Sequence, residues 1–226
     1  MKKKLLILAG GFSREREISL KTAKAVFKEI RNVYNTKISE PDGNLISTLR
    51  KFKPDFVFNA LHGRYGEDGY IQSILESEKI KYTHSGVLAS SIAIDKEISK
   101  KIFIKNKILT PKFQKFNFNK DKINQIFIKK LKSLIGFPLV VKPFNEGSSV
   151  EVYICDIKNF KKNLNKLHHY KEVMIEEYIG GREIQVAIMG QKKLGAIELV
   201  PKRKFYDYKA KYNSNSKTEH IIPIKI

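Results

Sequence analysis

At 226 residues, with 42% hydrophobic and 11% aromatic content, the chain can bury a core in one large domain or two to three small ones, which excludes a disordered or fibrous protein. The formal charge of +21 raises an anionic polymer as a partner, yet only seven of the 44 basic residues are Arg, the residue whose planar fork suits phosphate and base recognition, so a nucleic-acid partner is disfavoured. A single cysteine, Cys155, excludes a disulfide framework, and no apolar run reaches bilayer length, which points to a cytoplasmic protein with no membrane partner.

Residues 5–9 are an unbroken apolar run that predicts a first strand. Gly10-Gly11 predicts a turn, and the spacing of Ile18, Ala23, Val26, Phe27 and Ile30 predicts a helix. Apolar runs at 33–38 and 56–61, the second preceded by Pro54, continue an alternation of β and α as far as about residue 83, the pattern of a parallel sheet. Ligands of such sheets sit beyond the carboxyl ends of the strands, here the Gly10-Gly11 turn and the 62–69 loop. A helix is expected over 89–106, before Pro111, then a short strand over 113–116 and an amphipathic helix over 122–134, ended by Gly136 and Pro138. Strands at 139–141 and 150–154 form a hairpin, followed by a lysine-rich helix over 158–167. Further strands are expected over 173–178, 183–189 and 193–200, punctuated by Gly180-Gly181 and Gly190; beyond Val200 the sequence turns polar and tyrosine-rich. Cys155 ends an apolar run and reads as a buried strand-end thiol.

Neither G-x-x-x-x-G-K-[ST] nor G-x-G-x-x-G occurs, so any nucleotide site must be built otherwise. The hairpin offers one. Lys142 ends an apolar run and Glu146-Gly147-Ser148-Ser149 follows; a lysine is a point cation, while Gly and Ser let backbone N–H groups and hydroxyls approach phosphate oxygens. Glu176 and Glu183 could supply a pair of carboxylates on a strand edge for ribose hydroxyls. Taken singly, each feature has a plainer explanation. Lys142 is then a solvated strand end, Gly147 closes a hairpin, Ser13 is an N-cap with Glu15 and Glu17 in the first helical turn, and His62 is a hydrogen-bonded loop histidine.

Order changes the weighing. Gly10-Gly11-Phe12-Ser13-Arg14-Glu15-Arg16-Glu17-Ile18-Ser19-Leu20 is followed by Leu61-His62-Gly63-Arg64-Tyr65-Gly66-Glu67-Asp68-Gly69 and Asp95-Lys96. Then come Val141-Lys142-Pro143 with Glu146-Gly147-Ser148-Ser149, the stretch between Glu176 and Glu183, and Tyr206-Asp207-Tyr208-Lys209-Ala210-Lys211-Tyr212. The series resembles the D-alanine:D-alanine ligases of the ATP-grasp superfamily over essentially the whole chain. The resemblance implies an α/β fold: an N-terminal parallel-sheet, Rossmann-like domain (1–88), a central ATP-grasp α+β subdomain (89–180) and an incomplete C-terminal ATP-grasp subdomain (181–226). It also implies ATP-dependent joining of two D-alanines through an acyl phosphate for peptidoglycan synthesis, with ATP and Mg2+ (or Mn2+) as cofactors.

Carried over by residue, the resemblance gives Glu15 the ammonium of the first D-alanine and places His62 near that substrate. Lys96 and Lys142 contact ATP phosphates, while Glu176 and Glu183 take the adenine side and the ribose. Gly147, Ser148 and Ser149 form the phosphate loop. Ser148 joins Glu15 and Tyr212 in a cluster that closes the site, and Lys211 contacts phosphate from the same mobile loop as Tyr212. Closure keeps water from an acyl phosphate that hydrolysis would destroy. Tyr212 favours an amine over a hydroxy acid as second substrate.

Two departures matter. Glu151 stands where the family usually has Gly, and its charge beside the phosphate loop is expected to weaken ATP binding. The family's catalytic arginine and its Asp, Glu and Asn magnesium ligands lie beyond Ile226, so no metal ligand is expected in this chain. Residues 1–226 alone are then expected to be impaired, with a complementing C-terminal fragment as a partner that would restore them. The resemblance also implies a homodimer through the N-terminal region. Alternatives stay open: a degenerate ATP-grasp binding module, another carboxylate-amine ligase or, in another class, a basic protein that binds anionic polymers.

Overall fold

The computed structural model describes residues 2–202 and 218–224. It divides into one unit of Met1–Ile108 with Asn145–Gly147, and a second of Leu109–Phe144 with Ser148–Ile226. The mixed α/β architecture, with a parallel sheet in the N-terminal unit, is the one expected.

In the first unit, strands β1 (Lys4–Leu8), β2 (Asn35–Ser39), β3 (Phe56–Asn59) and β4 (Lys81–Tyr82) form a parallel sheet in the order β2-β1-β3-β4. Leu6, Ile7 and Leu8 are wholly buried, as a strand covered on both faces requires. Successive side chains alternate between those faces. Leu6 and Leu8 meet Leu45 and Leu49 of α2 (Leu45–Phe52) and Ile71 and Leu75 of α3 (Tyr70–Ser77); Ile7 packs in a cluster with Ala23 of α1 (Arg16–Ile30). Each such aliphatic side chain contributes about 1.5–3 kcal/mol of burial.

The strand expected from residue 33 starts at Asn35, because the N–H groups of Val33 and Tyr34 both turn back to the Ile30 carbonyl at the end of α1. The single helix expected over 89–106 is two, α4 (Val87–Ile94) and α5 (Lys96–Lys105). Asp95 breaks it: the residue is extended (φ −85°, ψ 104°), and its carboxylate accepts the N–H groups of Glu97 and Ile98, capping α5.

In the second unit, β5 (Phe113–Asn117), β6 (Leu139–Pro143), β7 (Tyr153–Cys155) and β8 (Glu172–Glu177) form an antiparallel sheet, order β5-β8-β6-β7. Helices α6 (Gln125–Leu134) and α7 (Phe160–Lys166) complete its core, through Leu131, Phe160 and Leu164 packed with Phe116, Leu139, Val141, Cys155 and Ile175. Asn124 caps α6 by accepting the Phe127 N–H at 2.9 Å, so the helix begins later than residue 122. The hairpin strand expected from residue 150 begins at Tyr153, because Ser148, Ser149 and Glu151 all have left-handed backbone (φ 46°, 60° and 54°) and cannot extend a pleated strand. A separate antiparallel sheet, order β11-β10-β9, comprises β9 (Glu183–Met189), β10 (Lys192–Val200) and an unanticipated short strand, β11 (Glu219–Ile221). Among the described residues no helix is long and apolar enough to cross a membrane.

Candidate functional site

After β1 the chain reverses through Gly10 and Gly11, both at φ 80°. At φ 80° the backbone of Gly10 favours glycine, and a Cβ there would also push aside the Glu40 side chain, whose Oε2 would lie at 2.4 Å. The buried Ser19 hydroxyl accepts the Gly10 N–H (2.8 Å) and donates to the Ala60 carbonyl (2.7 Å), tying the turn to the chain leaving β3. Glu15 stands immediately before α1. Its carbonyl accepts the N–H groups of Ile18 and Ser19, and its own N–H donates to Ser13 Oγ at 3.1 Å. Its side chain is buried, at 5% exposure, beside the positive end of the helix.

The loop after β3 reaches the same carboxylate. Asn59 and Gln72, both buried, donate their side-chain N–H groups to the Gly66 carbonyl at 2.8 Å each. The Gly63 N–H donates to Glu67 Oε2 at 2.8 Å. A Cβ on Gly63, at φ 66°, would lie 2.9 Å from Glu15 Oε2; one on Gly147 would lie 3.1 Å from the same atom. Two glycines from separate loops therefore close on one buried carboxylate. His62, next to Gly63, has Nε2 3.4 Å from Thr22 Oγ1 and Nδ1 3.9 Å from Glu67 Oε1. Lys96, at the start of α5, donates from Nζ to the Glu146 carbonyl. The first unit thus joins Glu15 to Gly147, and Lys96 to the residue before it.

In the second unit, Lys142 on β6 is ion-paired with Glu176 on the neighbouring β8. Their side chains are 19% and 9% exposed, so this is a largely desolvated pair whose partners depend on one another. Glu183 begins β9 in the other sheet and is exposed; Glu176 and Glu183 do not form a pair on one strand edge. Ser148 and Ser149 occupy the left-handed turn leading towards β7. Cys155 is the buried strand-end thiol expected, its pKa pushed up to about 11 chiefly by burial, although the Asn163 amide donates to Sγ at 3.6 Å. Tyr206, Tyr208, Lys211 and Tyr212 lie outside the described residues.

Sequence reasoning passed over Asn59, Glu67, Gln72, Ser19 and Thr22, which orient the two loops. Asn59 could have been noticed as the polar residue inside the apolar run 56–61. Chemically, the first unit offers a buried carboxylate of the kind that binds an ammonium group, and the second a paired cation and a left-handed seryl turn. Among the described residues no group of three or more His, Cys, Asp or Glu side chains could hold a metal ion.

Comparison with known proteins places these features in a family. Residues 38–85 match the profile "D-ala D-ala ligase N-terminus" and residues 102–226 match "D-ala D-ala ligase C-terminus". The D-alanine-D-alanine ligase of Pelagibacter ubique (strain HTCC1062) is 66% identical over 227 residues, covering 100% of this chain and 74% of that relative. The crystal structure of the Bacillus anthracis D-alanine-D-alanine ligase is similar with a TM-score of 0.81 and 35% identity, covering 99% of this chain and 72% of that one. The same organism's ligase complexed with ATP gives 0.77 and 31%, covering 99% and 71%.

Proposed function

Because the chain belongs to the D-alanine:D-alanine ligase family, we propose that it serves the ATP-dependent joining of two D-alanines through an acyl phosphate, in the cytoplasm and for peptidoglycan. The observation that carries this assignment is the buried Glu15 carboxylate at the carboxyl ends of a parallel sheet, approached by Gly63 and Gly147. A buried carboxylate of this kind suits the ammonium of a small amino acid, which a charge-assisted hydrogen bond would hold. His62 adjoins Gly63 on the loop that reaches Glu15.

ATP is the second ligand of this proposal. Lys96 and Lys142 supply cations to its phosphates, Ser148 and Ser149 supply hydroxyls, and Glu176 and Glu183 serve its adenine side and ribose. As the γ-phosphoryl group moves to the D-alanine carboxylate, the lysines offset the charge that develops on the transferring oxygens. The resulting acyl phosphate is attacked by the amine of the second D-alanine, and phosphate leaves. Lys211 and Tyr212 belong to the closing loop in this assignment. Magnesium or manganese would supply further charge neutralisation; the described residues hold no cluster of His, Cys, Asp or Glu side chains that fits such an ion. Residues 1–88 form the D-alanine side, with 89–180 and 181–226 as the two ATP-grasp portions. A homodimer through the first unit is part of the proposal, supported by the exposed apolar side chains Leu88, Ile98, Phe103 and Ile104 on α4 and α5.

The test, run with the complementing C-terminal region supplied because residues 1–226 alone are expected to be impaired, is phosphate release from ATP in the presence of magnesium, compared between D-alanine and L-alanine. D-alanine-dependent release with D-alanyl-D-alanine as product is expected. Lys142→Ala is expected to abolish it with the circular dichroism spectrum unchanged; Lys142→Ala/Glu176→Gln controls for the carboxylate that the single change leaves unpaired. Turnover by Lys142→Ala equal to that of the unmodified protein would remove Lys142 from the site.

A further inference from the structure

The left-handed turn that carries Ser148 and Ser149 ends on a residue with an unusual combination of backbone and side-chain roles. Glu151 has φ 54°, a conformation that costs a residue with a Cβ and that glycine adopts freely. Its carboxylate is 21% exposed. Oε2 accepts a hydrogen bond from the Tyr170 hydroxyl at 2.6 Å and lies 3.2 Å from His169 Nε2. His169 is half exposed, whereas Tyr170 is seated on the core. Tyr170 packs against the buried cluster of Phe160, Leu164 and Leu167, and its N–H donates to the Leu167 carbonyl at 2.9 Å. The His169 and Tyr170 rings lie against each other with centroids 4.3 Å apart. On the other side Tyr153, the first residue of β7, packs on the same core, and its phenol is held above its ordinary pKa by burial and then by the Glu151 charge.

We infer that Glu151 is a positioning residue for nucleotide binding: its carboxylate latches the exit of the Ser148-Ser149 turn to Tyr170 and His169. The turn is short, and the latch ties its far end to Tyr170, which packs on the core beside α7. The side chain therefore offsets the backbone cost of the left-handed residue by limiting the loop to one geometry, which lowers the ordering cost when phosphate binds. This rests on the proposal that Ser148 and Ser149 face ATP. It also opposes the simpler expectation that an extra negative charge beside the loop weakens ATP binding, since the carboxylate is engaged by donors on the Tyr170 side.

Glu151→Gly separates the two, because it relieves the backbone while removing the latch. Measured by calorimetry with ATP, the variant should bind roughly tenfold more weakly, the scale of one lost hydrogen bond, with a melting temperature no lower than that of the unmodified protein. Tyr170→Phe, which removes only the donor hydroxyl, should weaken ATP binding in the same direction, and Glu151→Gly/Tyr170→Phe should be no weaker than Glu151→Gly alone. Glu151→Gln, which keeps an acceptor oxygen, should restore most of the affinity. Affinity for D-alanine should not change. Hydrogen exchange at the amides of residues 148–152, measured without nucleotide, should accelerate in Glu151→Gly and Tyr170→Phe. Unchanged exchange in Glu151→Gly overturns the latch whether or not ATP binds, as does ATP binding by that variant equal to or tighter than that of the unmodified protein. An unmodified protein that binds no ATP would instead overturn the proposed function.

Discussion

Glu15 is enclosed by two glycines whose absent side chains define the space beside it. A methyl group on Gly147 would come within 3.1 Å of Glu15 Oε2, so Gly147→Ala is expected to raise the KM for D-alanine several-fold while leaving the melting temperature nearly unchanged. Gly63→Ala meets the same carboxylate at 2.9 Å and also forces a Cβ onto φ 66°; it should raise KM and cost about 1 kcal/mol of stability as well. Steady-state kinetics paired with chemical denaturation distinguishes the two. Cys155 gives a pH prediction. Its thiol, ordinarily near 9.0, is pushed up to about 11 by burial, so the unfolded chain releases this proton first. The contribution to stability is complete below pH 9.0 and is lost as pH rises through about 11. Tyr82, pushed up to about 12 by burial and Glu76, produces a similar loss at higher pH. Cys155→Ala should therefore show a shallower decline between 9.0 and about 11 than the unmodified protein, and an equal decline would remove the thiol as its cause.

Among the elements, the junction of α4 and α5 links local capping to the site, because Asp95 caps the helix whose first residue is Lys96. Asp95→Ala is expected to cost about 1 kcal/mol and to raise the KM for ATP, since the lysine is aimed by the cap; Asp95→Asn, which still accepts both N–H groups, should recover most of each loss. This junction was not legible from sequence because Ile92, Ile94, Ile98 and Ile102 keep one apolar rhythm across it, while the break is a single extended residue, Asp95, that caps the second helix. The central strands were legible for a clear physical reason. Residues 5–8 and 56–58 are buried on both faces or nearly so, and a doubly covered strand is written as an apolar run. The late start of β7 was not, since Ser148, Ser149 and Glu151 adopt left-handed backbone that their composition does not demand. β11 is three residues long, too short to carry a periodicity.

At the scale of the whole molecule, each unit carries part of the proposed site. The first surrounds a buried carboxylate with glycines and amide hydrogen bonds; the second carries the Lys142–Glu176 pair and the seryl turn. The residues proposed for both were picked out by the order of their motifs along the chain, because each sits on a loop or strand end whose small residues stand out between apolar runs. The supporting contacts of Asn59, Gln72 and Glu67 stayed hidden, since they act through hydrogen bonds to carbonyls and N–H groups several residues away. The charge of +21 spreads over surface lysines and does not mark the site, and a protein whose partner is a small amino acid needs only one well-placed carboxylate. The most direct measurement is the affinity for D-alanine of the unmodified protein and of Glu15→Gln, by titration calorimetry. Loss of the charge-assisted bond should weaken binding by about ten- to a hundredfold without lowering ATP affinity; a Glu15→Gln variant that binds D-alanine as tightly as the unmodified protein would contradict the assignment.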